Sequence, residues 1–161
     1  MNQCYLLLGT NIGDKKHNLL QARELIIARI GKITKPSSIY QTSAWGKQDQ
    51  DDFLNQVLAV ETKWSPEQLL ALCLEIEKDL GRVRFEHWGE RLIDIDILYY
   101  EDQVISGQRL TVPHPEIQNR KFTLIPLVEI AEHFVHPKIE KTNQELLDLC
   151  KDPLEVFKIE A

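Results

Sequence analysis

Asp94 and Asp96 stand two residues apart in the run Ile93-Asp94-Ile95-Asp96-Ile97-Leu98. On a strand, side chains alternate between faces, so both carboxylates project the same way, about 6.5–7 Å apart along the chain. Carboxylates that close repel each other unless a cation lies between them. They are also the hard oxygen ligands that Mg²⁺ accepts while it keeps waters and substrate phosphates. An exposed strand face carrying two solvated aspartates fits the same pattern. Just before it, Gly81-Arg82-Val83-Arg84-Phe85-Glu86-His87-Trp88-Gly89-Glu90-Arg91 packs three arginines, a histidine and a tryptophan together. Arginine forks match phosphate oxygens, and an aromatic face stacks on a planar heterocycle. Acidic metal ligands directly after such a set suit Mg²⁺-nucleotide chemistry. The bland alternative is a charged surface loop whose arginines pair with Glu86 and Glu90. A third cluster runs from Arg109 through Thr111, Pro113, His114 and Pro115 to Arg120, Lys121 and Phe122. Its prolines fix a turn that can aim His114, although a structural turn histidine fits equally.

The elements that must carry these residues can be read from periodicity. Cys4 to Leu8 is a short apolar strand, closed by Gly9-Thr10-Asn11-Ile12-Gly13 as a tight strand-to-helix turn. Asp14 is the N-cap of a first helix whose stripe is Leu19, Ala22, Ile26 and Ile30, with Gly31 ending it. Two extended stretches follow, about Ile33 to Thr42 and Phe53 to Thr62, with a polar loop between them that carries Trp45. Ser65, Pro66 and Gln68 make a capping box for a second helix with the stripe Leu69, Leu72, Cys73, Ile76 and Leu80, and Gly81 is expected at its C′ position. A strand from Leu92 to Tyr100 bears the aspartates. Short helices are expected near Ile125–Ala131 and Asn143–Cys150, and the acidic tail from Asn143 to Ala161 is read as helical. The order β-α-β-β-α-β predicts an α+β fold: a ferredoxin-like antiparallel sheet with helices on one face and an irregular C-terminal extension.

Composition narrows the function classes. The chain has 161 residues, 43% hydrophobic and 27% charged, which predicts a single globular domain over residues 1–161. Nineteen basic against 25 acidic residues give a net charge of −6, so no broad nucleic-acid surface is expected and a polyanion must be met by local cations. No apolar run is long enough to span a membrane. The first residues, Met1-Asn2-Gln3-Cys4, lack the pattern of a signal peptide, and a cytoplasmic protein is expected. Three cysteines without motif spacing argue against a disulfide framework or zinc site, and Cys4 and Cys73 are read as buried hydrophobes. P-loop, HExxH, GxSxG and protein-kinase signatures are all missing.

With those residues assembled, the chain resembles the 6-hydroxymethyl-7,8-dihydropterin pyrophosphokinase family of the folate pathway. The resemblance runs from Leu8-Gly9-Thr10-Asn11 to about Ile130, and its most specific part is GRVRFEHWGERLIDIDIL, Gly81 to Leu98. YQTSAWG (Tyr40 to Gly46), QDQDDFLN (Gln48 to Asn55) and LTVPHPEIQNRKF (Leu110 to Phe122) support it. The resemblance implies transfer of the β and γ phosphates of ATP, as one group, to the hydroxymethyl oxygen of the reduced pterin, with AMP as the other product. It implies two Mg²⁺ ions on Asp94 and Asp96, and Arg82 and Arg91 assisting the transfer. By the same resemblance, Thr42, Ser43, Trp45, Phe53, Asn55 and Phe122 would form the pterin pocket. Glu77, Arg84, Trp88, Ile97, Arg109, Thr111, His114 and Arg120 would face ATP. A monomer acting on two small molecules, with no nucleic-acid or membrane partner, follows. Ser43-Ala44-Trp45 stands where Pro-Pro-Leu is frequent, Phe53 replaces a tyrosine, and His87 stands where an arginine often precedes WG. Two other readings of the residues are a different Mg²⁺-dependent phosphoryl-transfer enzyme, such as a kinase releasing ADP, and a non-catalytic ferredoxin-like module binding single-stranded RNA.

Overall fold

The computed structural model describes residues 1–42, 52–82 and 92–159, the side chain of Arg82 excepted. Five strands carry the central sheet up to the aspartates: β1 (Asn2–Thr10), β2 (Gly31–Pro36), β3 (Ile39–Thr42), β4 (Phe53–Thr62) and β5 (Asp94–Tyr100). Helices α1 (Lys15–Arg29) and α2 (Pro66–Arg82) connect them, and a small hairpin of β6 (Ile105–Ser106) and β7 (Thr111–Val112) follows. The chain then runs through α3 (Lys121–Ala131) and α4 (Asn143–Leu149) to β8 (Val156–Ile159). The sheet order is β5-β1-β4-β3-β8 with every neighbour antiparallel. β2 also pairs with β4, so β2 and β3 lie end to end along one long strand. Taking them as one strand gives the ferredoxin-like order predicted from the element sequence. Ser37 stitches the break: its N–H donates to the Val57 carbonyl (2.8 Å) and its hydroxyl accepts from the Val57 N–H (2.9 Å).

Both faces of this sheet are covered, not one as expected. Leu6, Leu8, Leu54, Leu58, Ile95 and Ile97 pack beneath α1 and α2, whereas Tyr5, Leu7, Val57, Ala59, Leu98 and Tyr99 pack beneath α3 and α4. A half-exposed strand would alternate with polar residues; Cys4 to Leu8 is apolar throughout because both its faces are buried. α3 is tied down by Glu129, whose carboxylate accepts from the Ser38 N–H and hydroxyl and from the Tyr40 hydroxyl (2.6 Å) on β3. The tail after α4 is also not helical to its end. β8 extends the sheet beside β3, and Asp152 accepts from the Lys121 N–H (3.1 Å), capping the start of α3 from a distance in sequence.

The predicted caps hold at the helix starts and fail at the ends. Asp14 accepts from the His17 N–H, and the Ser65–Gln68 pair makes both bonds of its box. Gly31 opens β2 instead of capping α1: a Cβ there would lie 1.9 Å from the Glu61 carbonyl oxygen, so close strand approach requires the glycine. Gly81 lies inside α2, which continues to Arg82. Gly9 and Thr10 belong to β1, and only Gly13 (φ 68°) makes the left-handed turn expected of that segment. Cys4 and Cys73 are buried as expected, and burial pushes the Cys4 thiol up to about 12.

His136 gives the fold a pH dependence. It is 3% exposed, its ring meets Tyr99 edge-on, and its Nδ1 accepts from the N–H groups of Lys138 and Ile139. Burial holds its pKa below the ordinary 6.5, and the Lys138 ammonium adds to that direction. As pH falls through 6.5, the unfolded chain binds a proton that the native chain refuses, so stability falls with falling pH. Denaturant titrations from pH 7 to pH 5 should show this loss. His136→Asn, which keeps an acceptor near Nδ1 but cannot titrate, should show a shallower one. Equal slopes would mean that His136 protonates alike in both states.

Candidate active site

The geometry of the site follows from the register of three strands. Gly9 of β1 is paired with Asp94 of β5 on one side and Asn55 of β4 on the other, and Leu7 is likewise paired with Asp96 and Val57. Directly paired residues share a face, as do alternate residues along each strand. Asp94, Asp96, Asn55 and Phe53 therefore look toward α3, with Thr42, the partner of Phe53, beside them. The two carboxylates share a face as the sequence predicts. Arg120 and Phe122 reach over this face from the start of α3, and Leu154 closes it from the tail. The result is a cavity of about 330 Å³ lined by all of these residues together with Leu7 and Gly9, within the usual range for small-molecule sites.

The aspartate strand is held from behind. The Ile95 N–H, between the two aspartates, donates to Glu77 Oε2 on α2 at 2.6 Å, and Glu77 is 5% exposed. Thr10 donates its hydroxyl proton to the Leu92 carbonyl (2.7 Å), and Asn18 Nδ2 donates to Thr10 Oγ1 and to the Ile12 carbonyl. These bonds tie the chain entering β5 to the end of β1. The loop after β7 is fixed to the other end of β5, because the His114 N–H donates to the Leu98 carbonyl at 2.9 Å. The preceding Val112–Pro113 bond is cis.

The cavity has two chemically distinct ends. At one end stand the carboxylates of Asp94 and Asp96. At the other, Thr42 Oγ1 and Asn55 Oδ1 are buried and find no hydrogen-bond partner among the described residues. Buried polar atoms are nearly always paired, so two orphans in one cavity mark acceptors waiting for a donor-bearing ligand. Phe53 and Phe122 supply flat apolar surface, and the Arg120 guanidinium lies 5.6 Å from the Phe122 ring centre. Half-buried His114 lies near this assembly. Burial holds its pKa below the ordinary range; the Asp96 carboxylate opposes this, the Arg120 guanidinium reinforces it, and Glu116 opposes it. Its Nδ1 accepts from the Glu116 N–H, which puts the proton of the neutral ring on Nε2. Among the described residues no group of three or more His, Cys, Asp or Glu side chains converges. Two carboxylates are nonetheless what Mg²⁺ needs from a protein when phosphates and water complete its shell.

Of the residues singled out in the sequence, Thr42, Phe53, Asn55, Asp94, Asp96, Arg120 and Phe122 line this one cavity. Arg109 and Thr111 are exposed on and just before the short hairpin strand β7. Ile97 faces the opposite core, under α1 and α2, and Glu77 braces β5 from that side. Ser43, Trp45, Arg84, Trp88 and Arg91, together with the side chain of Arg82, lie outside the described residues. Sequence reasoning missed Leu7, Gly9 and Leu154 as cavity walls. In sequence Gly9 reads as part of a turn, and nothing local marks Leu154, which reaches the site only through the tail's return to the sheet.

Comparison with known proteins gives a consistent picture. The model of the 7,8-dihydro-6-hydroxymethylpterin-pyrophosphokinase (HPPK) family matches residues 5–132. The 2-amino-4-hydroxy-6-hydroxymethyldihydropteridine pyrophosphokinase of Methylorubrum extorquens is 47% identical over 136 residues, covering 84% of this chain and 86% of that protein. The enzyme of the same name from Aquifex aeolicus is 41% identical over 145 residues, 90% of each. In fold alone, the chain is similar to the crystal structure of wild-type Plasmodium falciparum HPPK-DHPS, with a TM-score of 0.73, 16% identity and 92% of this chain covered. It spans 44% of that longer chain.

The orphaned hydroxyl of Thr42 yields a prediction about the free protein. An unpaired buried hydroxyl costs roughly 1–3 kcal/mol, and a methyl group of similar shape carries no such penalty. Thr42→Val should therefore leave the thermal midpoint of the ligand-free protein unchanged or raise it. A loss of more than about 1 kcal/mol would mean that the hydroxyl is paired in the free state.

Proposed function

The chain belongs to the 7,8-dihydro-6-hydroxymethylpterin-pyrophosphokinase family, and from that membership and the two-ended cavity we infer that it carries out the family's reaction. It transfers the pyrophosphoryl group of ATP to the hydroxymethyl group of 6-hydroxymethyl-7,8-dihydropterin, a step of folate synthesis. The hydroxymethyl oxygen forms a bond to the β-phosphorus as the bond from that phosphorus to the α,β-bridging oxygen breaks. AMP leaves, and the hydroxyl proton is lost to solvent.

The observation that carries this reading is the placing of two orphaned acceptors and two carboxylates on one cavity floor. A pterin is flat, bicyclic and rich in N–H donors along its pyrimidine edge, and such a ring answers Thr42 Oγ1 and Asn55 Oδ1 while lying against Phe53 and Phe122. With its amino edge there, its hydroxymethyl arm extends toward Asp94 and Asp96. Those carboxylates would hold Mg²⁺, two ions in this reading, which supply charge neutralisation for the triphosphate. Arg120 adds a fixed cation at the same mouth, and His114 offers a neutral Nε2–H donor. Arg82 and Arg91 are assigned to the migrating phosphates, and Arg84, Trp88, Arg109 and Thr111 to the nucleotide side, whereas Ile97 and Glu77, turned to the opposite core, support the aspartate strand from behind. Ser43 and Trp45 are assigned to the pterin side. Catalysis of this kind rests on positioning and on electrostatic stabilisation of spread negative charge. We read residues 1–161 as one domain acting as a monomer in the cytoplasm. No described helix is long and apolar enough to cross a membrane.

The test is the nucleotide product. Incubation with ATP, Mg²⁺ and 6-hydroxymethyl-7,8-dihydropterin should give pterin-dependent AMP, abolished by chelating the metal. ADP would move the protein to another kinase class, and an inert, well-folded sample would favour a binding module. Asp96→Asn should lower kcat by roughly 100-fold or more while leaving thermal stability unchanged or raised, since it relieves like-charge repulsion. Near-normal turnover in that variant would remove Asp96 from the metal site.

A further inference from the structure

We propose that Gly9 is a positioning residue for pterin selection: the missing side chain at this point of β1 lets the Asn55 amide lie across the strand with Oδ1 turned into the cavity. The proposal rests on the pterin reading above, and it concerns a residue that reading leaves without a role. Gly9 is not a turn residue, since it pairs in register with both β4 and β5 and its φ lies outside the left-handed region. Glycine weakens the interior of a central strand, so its presence there asks for a local reason. Space supplies one. A Cβ built on Gly9 would sit 2.8 Å from Asn55 Nδ2, and no other described atom outside its chain neighbours lies within 4 Å of it.

That single contact matters because of what Asn55 does. Its Nδ2 donates to the carbonyl of Leu8, the residue before Gly9, at 3.3 Å. Anchoring the amide nitrogen on the strand forces the oxygen to the cavity side, where it is buried and unpaired. Asn55 is 4% exposed, so the amide has no room to take a different pose at no cost. The geometry therefore makes the site an acceptor at this position, which selects a ring edge that donates. A methyl group at position 9 would lift the amide from Leu8, free it to rotate and blur that preference. Asp94, the other neighbour of Gly9 across the sheet, lies beyond 4 Å of the same Cβ. The metal end should be left alone.

Steady-state kinetics of Gly9→Ala should show the KM for the pterin raised about 10-fold, the scale of one lost buried hydrogen bond. The KM for ATP and the Mg²⁺ dependence should stay near wild type. In an Asn55→Ala background the same substitution should add nothing further, because its effect passes through the amide. An equal rise of KM in both backgrounds would assign Gly9 to cavity space or folding and overturn the proposal, as would a wild-type pterin KM in Gly9→Ala. If Gly9→Ala fails to fold, Asn55→Ala combined with it should restore folding by removing the clash, and a double variant that also fails to fold overturns the proposal. Thermal midpoints of the two single variants and the double variant test the Gly9–Asn55 coupling without any substrate. That outcome is separate from the failure of the pterin reading itself, which would appear as a wild-type protein producing no pterin-dependent AMP.

Discussion

The antiparallel register of β1 between β4 and β5 is the constraint on which the site depends. It sets Asp94, Gly9 and Asn55 in one line across three strands and Asp96, Leu7 and Val57 in the next. Side-chain direction on a strand has a period of two, so a slip of one residue between β1 and β5 would turn both aspartates into the core under α1 and α2. The burial pattern forbids that slip. Ile95 and Ile97 would move out of an apolar core, and charged groups would take their places without partners. The stability of the first core thus specifies the chemistry of the opposite face.

Around this register, the remaining contacts hold a polar floor open against collapse. Glu77 grips the backbone between the aspartates, so β5, at the edge of the sheet among the described residues, has a buried acceptor for an N–H that no further described strand pairs. Thr10 and Asn18 fix the entrance to that strand. On the far side of the cavity, Glu129 anchors α3 to β3 and Asp152 caps its first turn, so Arg120 and Phe122 project from a helix start held at both ends. Most of the cavity-lining side chains sit on strands and on a braced helix turn, which limits the freedom that binding a ligand would cost.

Much of this was legible from residue types and spacing, and the failures share one cause. The shared face of Asp94 and Asp96, the strand from Phe53 to Thr62 and the caps at Asp14 and Ser65 are all set by interactions within a few residues. Glycines were legible as special but not as to why. A turn at Gly13, a strand approach at Gly31 and an amide rest at Gly9 look alike in sequence, and only the neighbouring strand tells them apart. The order of elements alone predicts one covered face, whereas the unbroken apolar run of β1 reflects burial on both. Asp152 and Leu154 carry no local pattern, because their roles arise where a distant tail returns to α3 and the sheet.

Charge explains why the two ends of the cavity are built from different groups. The chain as a whole is acidic, at −6, and two of its carboxylates stand together at the end of the cavity where the proposed function brings a polyphosphate. Unscreened, that arrangement would repel a polyphosphate, so in the proposed function bound Mg²⁺ and the Arg120 guanidinium would have to reverse its sign locally. A ring that carries no net charge needs the reverse treatment, and the other end of the cavity offers neutral polar atoms and aromatic surface that suit it. His114 lies within electrostatic reach of both Asp96 and Arg120, and burial holds its pKa below the ordinary range. In the proposed function, a neutral histidine there would leave the charge balance of that end to a bound cation and arginine, while its Nε2–H donates. The floor that joins the two ends is Gly9, the one position on that row of β1 with no side chain, flanked by an acid on one strand and an amide on the other.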